Sequence, residues 1–338
     1  MRQRGKGYRL LRGLAAALVL SAALGAAAVW WWLNQPLSLA RPSIEVSIEA
    51  GSTPRDVAQA WVDAGVQTDA SWLYAWFRVS GQARRIRAGS YEIEPGTTPR
   101  TLLEVLVQGR ETLQTVRLLE GWTLRQVRDA LAAAPNLKAT TRAWDDARLM
   151  QEIGAPGVSA EGRFFPDTYA YARGVSDLTV LRRAYRTMQQ RLAAVWADRS
   201  GDTPLKSADE ALILASIVEK ETGTATDRPL IAGVFINRLR LGMPLQTDPT
   251  VIYGLGDRFD GNLRKRDLLA DTPFNTYTRS GLPPTPIALP GMASLRAAVR
   301  PEATKALYFV ARGDGSSAFS DTLAEHNRAV NRYQRGQP

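Results

Sequence analysis

An uncharged stretch of 20 residues, Leu14 to Leu33, is the feature that most constrains this chain. A helix of about 20 apolar residues spans the hydrocarbon core of a bilayer. The residues before it include five basic and no acidic side chains. By the positive-inside rule we expect residues 1–13 in the cytoplasm, a single transmembrane helix at 14–33 and the remainder outside the inner membrane.

A cleaved signal peptide is the alternative interpretation of the same stretch. Ala26, Ala27 and Ala28 resemble a small-residue cleavage site. The apolar core of a signal peptide is usually only about 7–15 residues long, which favours an anchor here. The tryptophans at 30–32 suit the aromatic belt at the outer interface.

Composition excludes several kinds of chemistry. The chain has 338 residues and a net charge of +10, with no cysteine and one histidine, His326. It therefore has no disulfide, thiolate metal site or multi-histidine metal site, and we expect neither metal nor cofactor. The five basic residues before Leu14 supply half of the net charge, so a nucleic-acid partner is not expected either. Carboxylates and hydroxyls remain as the groups for chemistry.

A repeated pattern follows a short proline-containing linker at 34–42. Each copy reads as a strand, a glycine turn, a hydroxyl residue that caps a helix, and the helix. The copies are centred on Thr53, Thr98 and, more loosely, Thr123, and proline follows the first two at the first helical position. We expect one module at 43–135, either an ordinary small α/β unit or a carbohydrate-binding one.

The second half opens on a helix that is apolar on every side. Ser207 to Glu210 forms a capping box, and residues 211–218 contain no polar group larger than one hydroxyl. Glu219 comes next, at the edge of the expected core. Burial penalises the charged form of a carboxyl, so we expect Glu219 to retain a proton as a general acid must. Alternatively, Glu219 bonds to an arginine or a backbone group at the helix end.

Glu221 lies about 200° around this helix from Glu219, so the two cannot serve one cleft as a pair. Asp248, which precedes a proline, is by default a helix N-cap. Arg238 can be a surface charge, and His326 is more typical of a structural role. We also expect helices at 138–150, 177–199, from Pro229 to Gly242, at 294–299 and at 324–335, and a strand at 307–310.

Several motifs together resemble those of the endolytic murein transglycosylase family, also called YceG-like. They are Leu214–Thr222, Phe235–Leu239, Leu245–Gly254, Asn275–Tyr277 and Gly281–Pro284. The resemblance implies an α+β fold: an N-terminal transmembrane helix, a small LysM-like α/β module and a mixed α+β catalytic domain at 136–338. It also implies a bacterial inner-membrane protein with its catalytic domain in the periplasm, and no cofactor.

The resemblance further implies a lytic transglycosylase that cuts the β-1,4 bond between N-acetylmuramic acid and N-acetylglucosamine within peptidoglycan strands. Its product carries a 1,6-anhydro end, and the cut terminates growing strands near peptidoglycan synthases. The resemblance makes Glu219 the catalytic acid. The candidates for holding the sugar are Gln246, Thr247, Asp248, Tyr253, Asn275 and Tyr277.

Two other functions fit the same residues. One is a muramidase, a hydrolase in which Asp248 is the second carboxylate. The other is a non-catalytic adaptor that tethers the membrane to peptidoglycan through the LysM-like module. The end group of digested glycan separates the two enzymes, and the adaptor predicts binding without cleavage.

Overall fold

The computed structural model describes residues 4–49, 51–109 and 113–336, with side chains described from residue 16 onward. The chain divides into two compact units, residues 1–114 and 115–338. The sequence predicted the boundary near 135. The difference arises because the third copy of the repeated pattern contributes its helix to the core of the second unit.

The first unit begins with helix α1, Arg4–Leu33. Its segment Ala16–Leu33 meets the length and hydropathy of a membrane span, as a signal sequence can also do. Trp30 and Trp31 are exposed, whereas Trp32 packs against Trp72 with ring centroids 5.7 Å apart. The end of the apolar helix is thus tied to the rest of the first unit.

The rest of the first unit is a small α/β module. Its elements are strand β1 at Ile44–Ile48, helices α2 at Pro54–Asp63 and α3 at Ala70–Val79, a 3₁₀ turn at Ala83–Arg85, strand β2 at Gly89–Ile93 and helix α4 at Pro99–Gln108. Strands β1 and β2 are antiparallel, with Ile44 opposite Ile93. Every second residue of β1 is buried, as the alternating pattern predicts, and packs on Trp61, Phe77 and Tyr91.

The three predicted helix starts are confirmed. The hydroxyls of Thr53, Thr98 and Thr123 each accept a hydrogen bond from the backbone N–H three residues on. The missing N–H of a proline at the first helical position needs no partner, so Pro54 and Pro99 fit there. Local sequence is sufficient to fix these starts because caps act within one turn.

The second unit is mixed α+β, as predicted for this part of the chain. Its helices are α5 at Leu124–Ala133, α6 at Asp146–Ile153, α7 at Asp177–Ala197, α8 at Ala208–Glu221, α9 at Arg228–Arg240, α10 at Asp248–Leu255, α11 at Lys265–Leu269, α12 at Met292–Val299 and α13 at Leu323–Gln334. Its strands pair in twos, β3 at Gln114–Arg117 with β4 at Thr168–Tyr171, and β5 at Tyr308–Ala311 with β6 at Ser317–Ser320.

Two local predictions for this unit need correction. The helix expected at 138–150 begins only at Asp146, because the carboxylate of Asp145 caps that point by accepting from the N–H of Arg148. The sequence also missed strand β6, whose partner β5 lies across a turn with Gly313 and Gly315 at positive φ. Short strands carry little periodic signal of their own.

Helix α8 is the centre of the second unit. Residues 211–218 are all buried, and the helix packs against α7, α9, α10 and α12. A helix surrounded by others must be apolar all round, as its sequence is. Its last residues emerge from this core, so any carboxyl there is rigidly positioned.

Candidate active site

An open groove of about 550 Å³ lies at the carboxyl end of α8. We call it the Glu221 groove. The residues that line it come from the ends of α8 and α9, the start of α10 and the loop before it, the loop before α12, the β5–β6 pair and α13. The polar side chains among them are Glu221, Arg238, Gln246, Asp248, Tyr277, Tyr308, Ser317, His326 and Gln334. Elements distant in sequence thus converge on one carboxyl.

Glu221 is held by a hydrogen bond and lines the groove. The hydroxyl of Thr247, a residue only 2% exposed, donates a close hydrogen bond to Oε1 of Glu221. Burial raises the pKa of the Glu221 carboxyl, the Thr247 hydrogen bond opposes this, and the charge of Asp248 adds to it. The result is a fixed carboxyl that favours its protonated form more than an exposed glutamate does.

Asp248 and Tyr277 form a second polar pair in the groove. The Tyr277 hydroxyl donates to Oδ1 of Asp248 at 2.5 Å. Burial and the adjacent carboxylate raise the pKa of Tyr277, so the phenol keeps its proton. The expectation that Asp248 caps a helix is wrong: Thr247 occupies the N-cap position and no side chain caps there. The carboxylate of Asp248 is instead turned toward the groove.

Arg238 supports the wall of the groove. It is 7% exposed, so it is not the surface charge that the sequence allowed. Its guanidinium donates to the carbonyls of Leu307, Pro244 and Leu245 and to Oε1 of Gln246, at 2.7–3.1 Å. Gln246 itself has φ of +52°, a left-handed conformation that is rare outside glycine and is found at functional sites.

His326 also belongs to the groove. Its ring stacks on Tyr308 with centroids 5.2 Å apart, and the guanidinium of Arg238 lies 5.0 Å from the centroid of the Tyr308 ring. Burial and the charge of Arg238 lower the pKa of His326, which keeps the imidazole neutral. The sequence favoured a structural role because nothing in it relates α13 to α8.

Glu219 lies in different surroundings. Its side chain is 8% exposed, and it is not among the residues lining the groove. Oε2 accepts from the N–H of Gly291 at 2.9 Å, and Oε1 lies 3.8 Å from the guanidinium of Arg228. Glu120 is a further neighbour: partial burial and the charge of Glu219 raise its pKa. This arrangement matches the alternative in which Glu219 bonds to an arginine and a backbone group.

The predicted sugar-binding residues separate into three groups. Gln246, Asp248 and Tyr277 line the groove together. Thr247 and Asn275 are buried and act behind it: the Asn275 amide donates to three carbonyls at 267–270 and its oxygen accepts from the N–H of Tyr277. Tyr253 lines another cavity altogether.

The sequence therefore missed Glu221, Tyr308 and His326 as groove residues. For Glu221 a signal existed. Glu221 lies about 200° around the helix from Glu219, so the two carboxyls face different surroundings. Which of the two faces a groove depends on the elements that pack against each side of the helix. Within the described residues, no cluster of three acidic or histidine side chains could hold a metal ion.

Comparison with known proteins decides the family. A family model described as the YceG-like family matches residues 46–332. The chain belongs to the YceG-like family. A yceG-like protein of known structure from Listeria monocytogenes superposes with a TM-score of 0.56 at 31% identity, covering 85% of this chain and 98% of that one.

Two curated relatives carry the name endolytic murein transglycosylase. The protein of Bacillus subtilis is 30% identical over 310 residues, covering 87% of this chain and 85% of its own. The protein of Streptococcus pneumoniae is 24% identical over 323 residues, covering 85% of this chain but 58% of its own length. Family membership makes this chain an enzyme, as the sequence motifs predicted.

Proposed function

We propose that the chain is an endolytic murein transglycosylase, a lyase, with Glu221 as its acid and base. The observation that supports this most is the position of Glu221. It is a rigidly held carboxyl with a raised pKa, in an open groove that also contains Gln246, Asp248 and Tyr277. The name shared by the relatives gives the reaction class.

The proposed reaction needs one carboxyl for two proton transfers. Glu221 gives its proton to the oxygen of the β-1,4 bond between N-acetylmuramic acid and N-acetylglucosamine, and the bond from that oxygen to the muramyl anomeric carbon breaks. The muramyl 6-hydroxyl then bonds to this carbon while the Glu221 carboxylate takes its proton. A 1,6-anhydro end forms, no water is consumed, and Glu221 returns to its protonated state.

The expected catalytic residue was Glu219, and the geometry favours its neighbour. The Gly291 N–H donates to Oε2 of Glu219, and the Arg228 guanidinium lies 3.8 Å from Oε1 as an ion-pair partner. An acid must reach the proton acceptor within hydrogen-bond distance, and Glu221 lines a groove of about 550 Å³, whose lining does not include Glu219. We propose that Glu219 positions the Gly291 backbone instead.

A muramidase remains the second candidate because Asp248 shares the groove with Glu221 and influences its ionisation. A second carboxylate can activate water or form a covalent intermediate. The hydroxyl of Tyr277 already donates to Oδ1 of Asp248, which leaves that oxygen less accessible to a water or to a sugar carbon and favours the lyase.

The membrane and glycan-binding roles rest on the first unit. We propose that α1 is a single-pass anchor in the bacterial inner membrane with the second unit in the periplasm, and that the β1–α2–α3–β2 arrangement is a LysM-like module for peptidoglycan. The apolar segment 16–33 and the compact strand pair support these roles. Termination of growing strands beside a peptidoglycan synthase would follow from such a location.

Digestion of purified glycan strands tests the proposal. Wild type should give 1,6-anhydro ends by mass spectrometry, and Glu221→Gln should give no product while retaining its fold. Glu219→Gln is the matched control and should retain cleavage. Reducing ends would support the muramidase. Activity in Glu221→Gln with none in Glu219→Gln would restore Glu219 as the catalytic acid. No cleavage even by wild type would support the adaptor.

A further inference from the structure

A second cavity of about 560 Å³ lies between the start of α5 and the end of α10. We call it the α5–α10 cavity, and it is separate from the Glu221 groove in its lining. Its lining includes Glu161, Tyr253 and Phe259 and two pairs of charged side chains. The mechanism proposed above uses none of them.

A buried carboxyl forms part of the cavity wall. Glu161 is only 7% exposed, and it accepts from the N–H groups of Leu124 and Gly162 at 3.0–3.2 Å. The Tyr253 hydroxyl donates to it at 3.2 Å. Burial raises the pKa of Glu161 to about 7. A carboxyl near its midpoint at neutral pH can accept a hydrogen bond or donate one, which suits hydroxyl and acetamido groups.

Charged pairs line the same cavity. Arg125 pairs with Asp257 between α5 and the turn after α10, and Arg128 bonds Asp146 at 3.0 Å. Both side chains of the first pair are exposed, 66% for Arg125 and 85% for Asp257. The charges of the two pairs cancel, and Glu161 adds at most one negative charge, which suits an uncharged polyhydroxylated ligand more than an anion.

An aromatic surface completes the cavity. The Tyr253 ring lies edge-on to Phe274 with centroids 4.9 Å apart, which fixes its orientation. Phe259 is half-buried and also lines the cavity. Aromatic rings provide flat apolar surface beside polar groups, and a sugar ring offers the complementary combination of C–H face and hydroxyl rim.

Helix α10 connects the cavity to the Glu221 groove. Asp248 at its first position lines the groove. Tyr253 near its end and Gly256 directly after it line the cavity. The helix rise places residues 248 and 256 about 12 Å apart along the axis. An endolytic enzyme holds strand on both sides of the broken bond, so a strand following α10 would reach both places.

We propose that the α5–α10 cavity is a distal subsite for an N-acetylated sugar of the same glycan strand that is cut in the Glu221 groove. This inference rests on the proposed function. The subsite gives the enzyme its preference for long strands, because only a long strand fills the groove and the cavity together. Cutting then occurs within a strand rather than at its end.

Binding to the full chain carrying Glu221→Gln tests the subsite without cleavage. The probes are a long uncrosslinked glycan strand and a tetrasaccharide, which has only two sugars on each side of its central bond. In this background, Arg125→Ala with Asp257→Ala removes one charged pair from the cavity and leaves neither charge unpaired. Because both side chains are exposed, the fold should persist. Phe259→Ala is an independent second variant.

The matched control is Asp198→Ala with Arg300→Ala. This pair is similarly exposed, at 67% and 61%, and lines another cavity of about 560 Å³. We expect about tenfold weaker binding of the long strand by both cavity variants, since lost hydrogen bonds to charged groups and lost aromatic contact have this size. The tetrasaccharide and the control pair should show no change.

Each other outcome has a definite meaning. Equal binding of the long strand by the cavity variants and the control would overturn the subsite. Equal weakening of the tetrasaccharide would also overturn it, because the effect would then not depend on strand length. Failure of the Glu221→Gln chain itself to bind either probe, or cleavage of strands by it, would contradict the proposed function instead.

Discussion

Glu219 and Glu221 lie two residues apart on one helix and have separate hydrogen-bond partners. The N–H of Gly291 donates to Glu219, and the hydroxyl of Thr247 donates to Glu221. The first contact ties α8 to the segment before α12, and the second lies at the wall of an open groove. The first carboxyl thereby links two segments of the second unit, and the second lines the groove.

Thr247→Val should move the pH dependence of cleavage upward. The Thr247 hydroxyl stabilises the Glu221 carboxylate, so its removal raises the pKa of Glu221 further. A general acid is active when protonated, and the decline of kcat/KM at alkaline pH should therefore begin at a higher pH. The measurement is the pH profile of strand cleavage.

Thr250→Val is the control, because that hydroxyl contacts Thr247 and Thr276 but not Glu221. An identical profile in wild type and Thr247→Val would contradict this role.

Asp248→Asn should move the same profile in the opposite direction. The negative charge of Asp248 raises the pKa of Glu221, so neutralising it lets Glu221 lose its proton at a lower pH. The alkaline decline in cleavage should then begin earlier. The end group of the product separates roles: a lyase keeps forming 1,6-anhydro ends at a reduced rate, whereas a muramidase that needs Asp248 stops. An upward shift of the profile would count against a charge effect.

Glu161→Gln should remove part of the pH dependence of stability. Burial raises the pKa of Glu161 from 4.5 to about 7, so the folded state binds a proton more tightly than the unfolded state. Its contribution to stability is therefore complete below pH 4.5 and is lost as the pH rises toward 7. The difference between these two pKa values corresponds to about 3 kcal/mol of unfolding free energy.

Urea unfolding of the full chain at pH 5 and pH 8 measures this effect. Between pH 5 and pH 8, the unfolding free energy of wild type should fall by more than that of Glu161→Gln. Glu152→Gln is a suitable control, because Glu152 is exposed and pairs only loosely with Arg182 at 4.0 Å. Equal losses in wild type and Glu161→Gln would show that Glu161 does not titrate in this range.

Arg238→Met should destabilise the second unit strongly. The substitution leaves carbonyls of Leu307, Pro244 and Leu245 without their donor. Each buried polar group left without a partner costs about 1–3 kcal/mol, so we expect a loss of about 3 kcal/mol or more. Arg240→Met, at a 40% exposed arginine paired with Asp202, should change stability by less than about 1 kcal/mol. Urea unfolding compares the two, and similar losses would contradict the difference.

Local chemistry made the helix starts predictable. Thr53, Thr98 and Thr123 cap their helices through bonds that span three residues, so the sequence contains everything needed. The same holds for the buried helix α8, because an apolar run of eight residues after a cap has few alternatives in a folded domain. The helix does not extend back over 138–145, because the Asp145 side chain caps its start at Asp146.

The candidate site could be predicted only in part. Gln246, Asp248 and Tyr277 were identified through their motifs, and the structure brings them into one groove. Tyr253 follows Asp248 by five residues yet lines a different cavity, because helix α10 carries it away from the groove. Asn275 and Thr247 act behind the groove, since burial is a property of the packed fold that a motif does not reveal.

The sequence alone determined the family, the helix starts and the presence of two glutamates at the end of a core helix. It could not determine which glutamate lines the Glu221 groove. That depends on Thr247, Gly291 and Arg228, which are distant along the chain and become neighbours of α8 only when the second unit packs. Spacing fixes the angle between two side chains on a helix, whereas packing fixes what each of them faces.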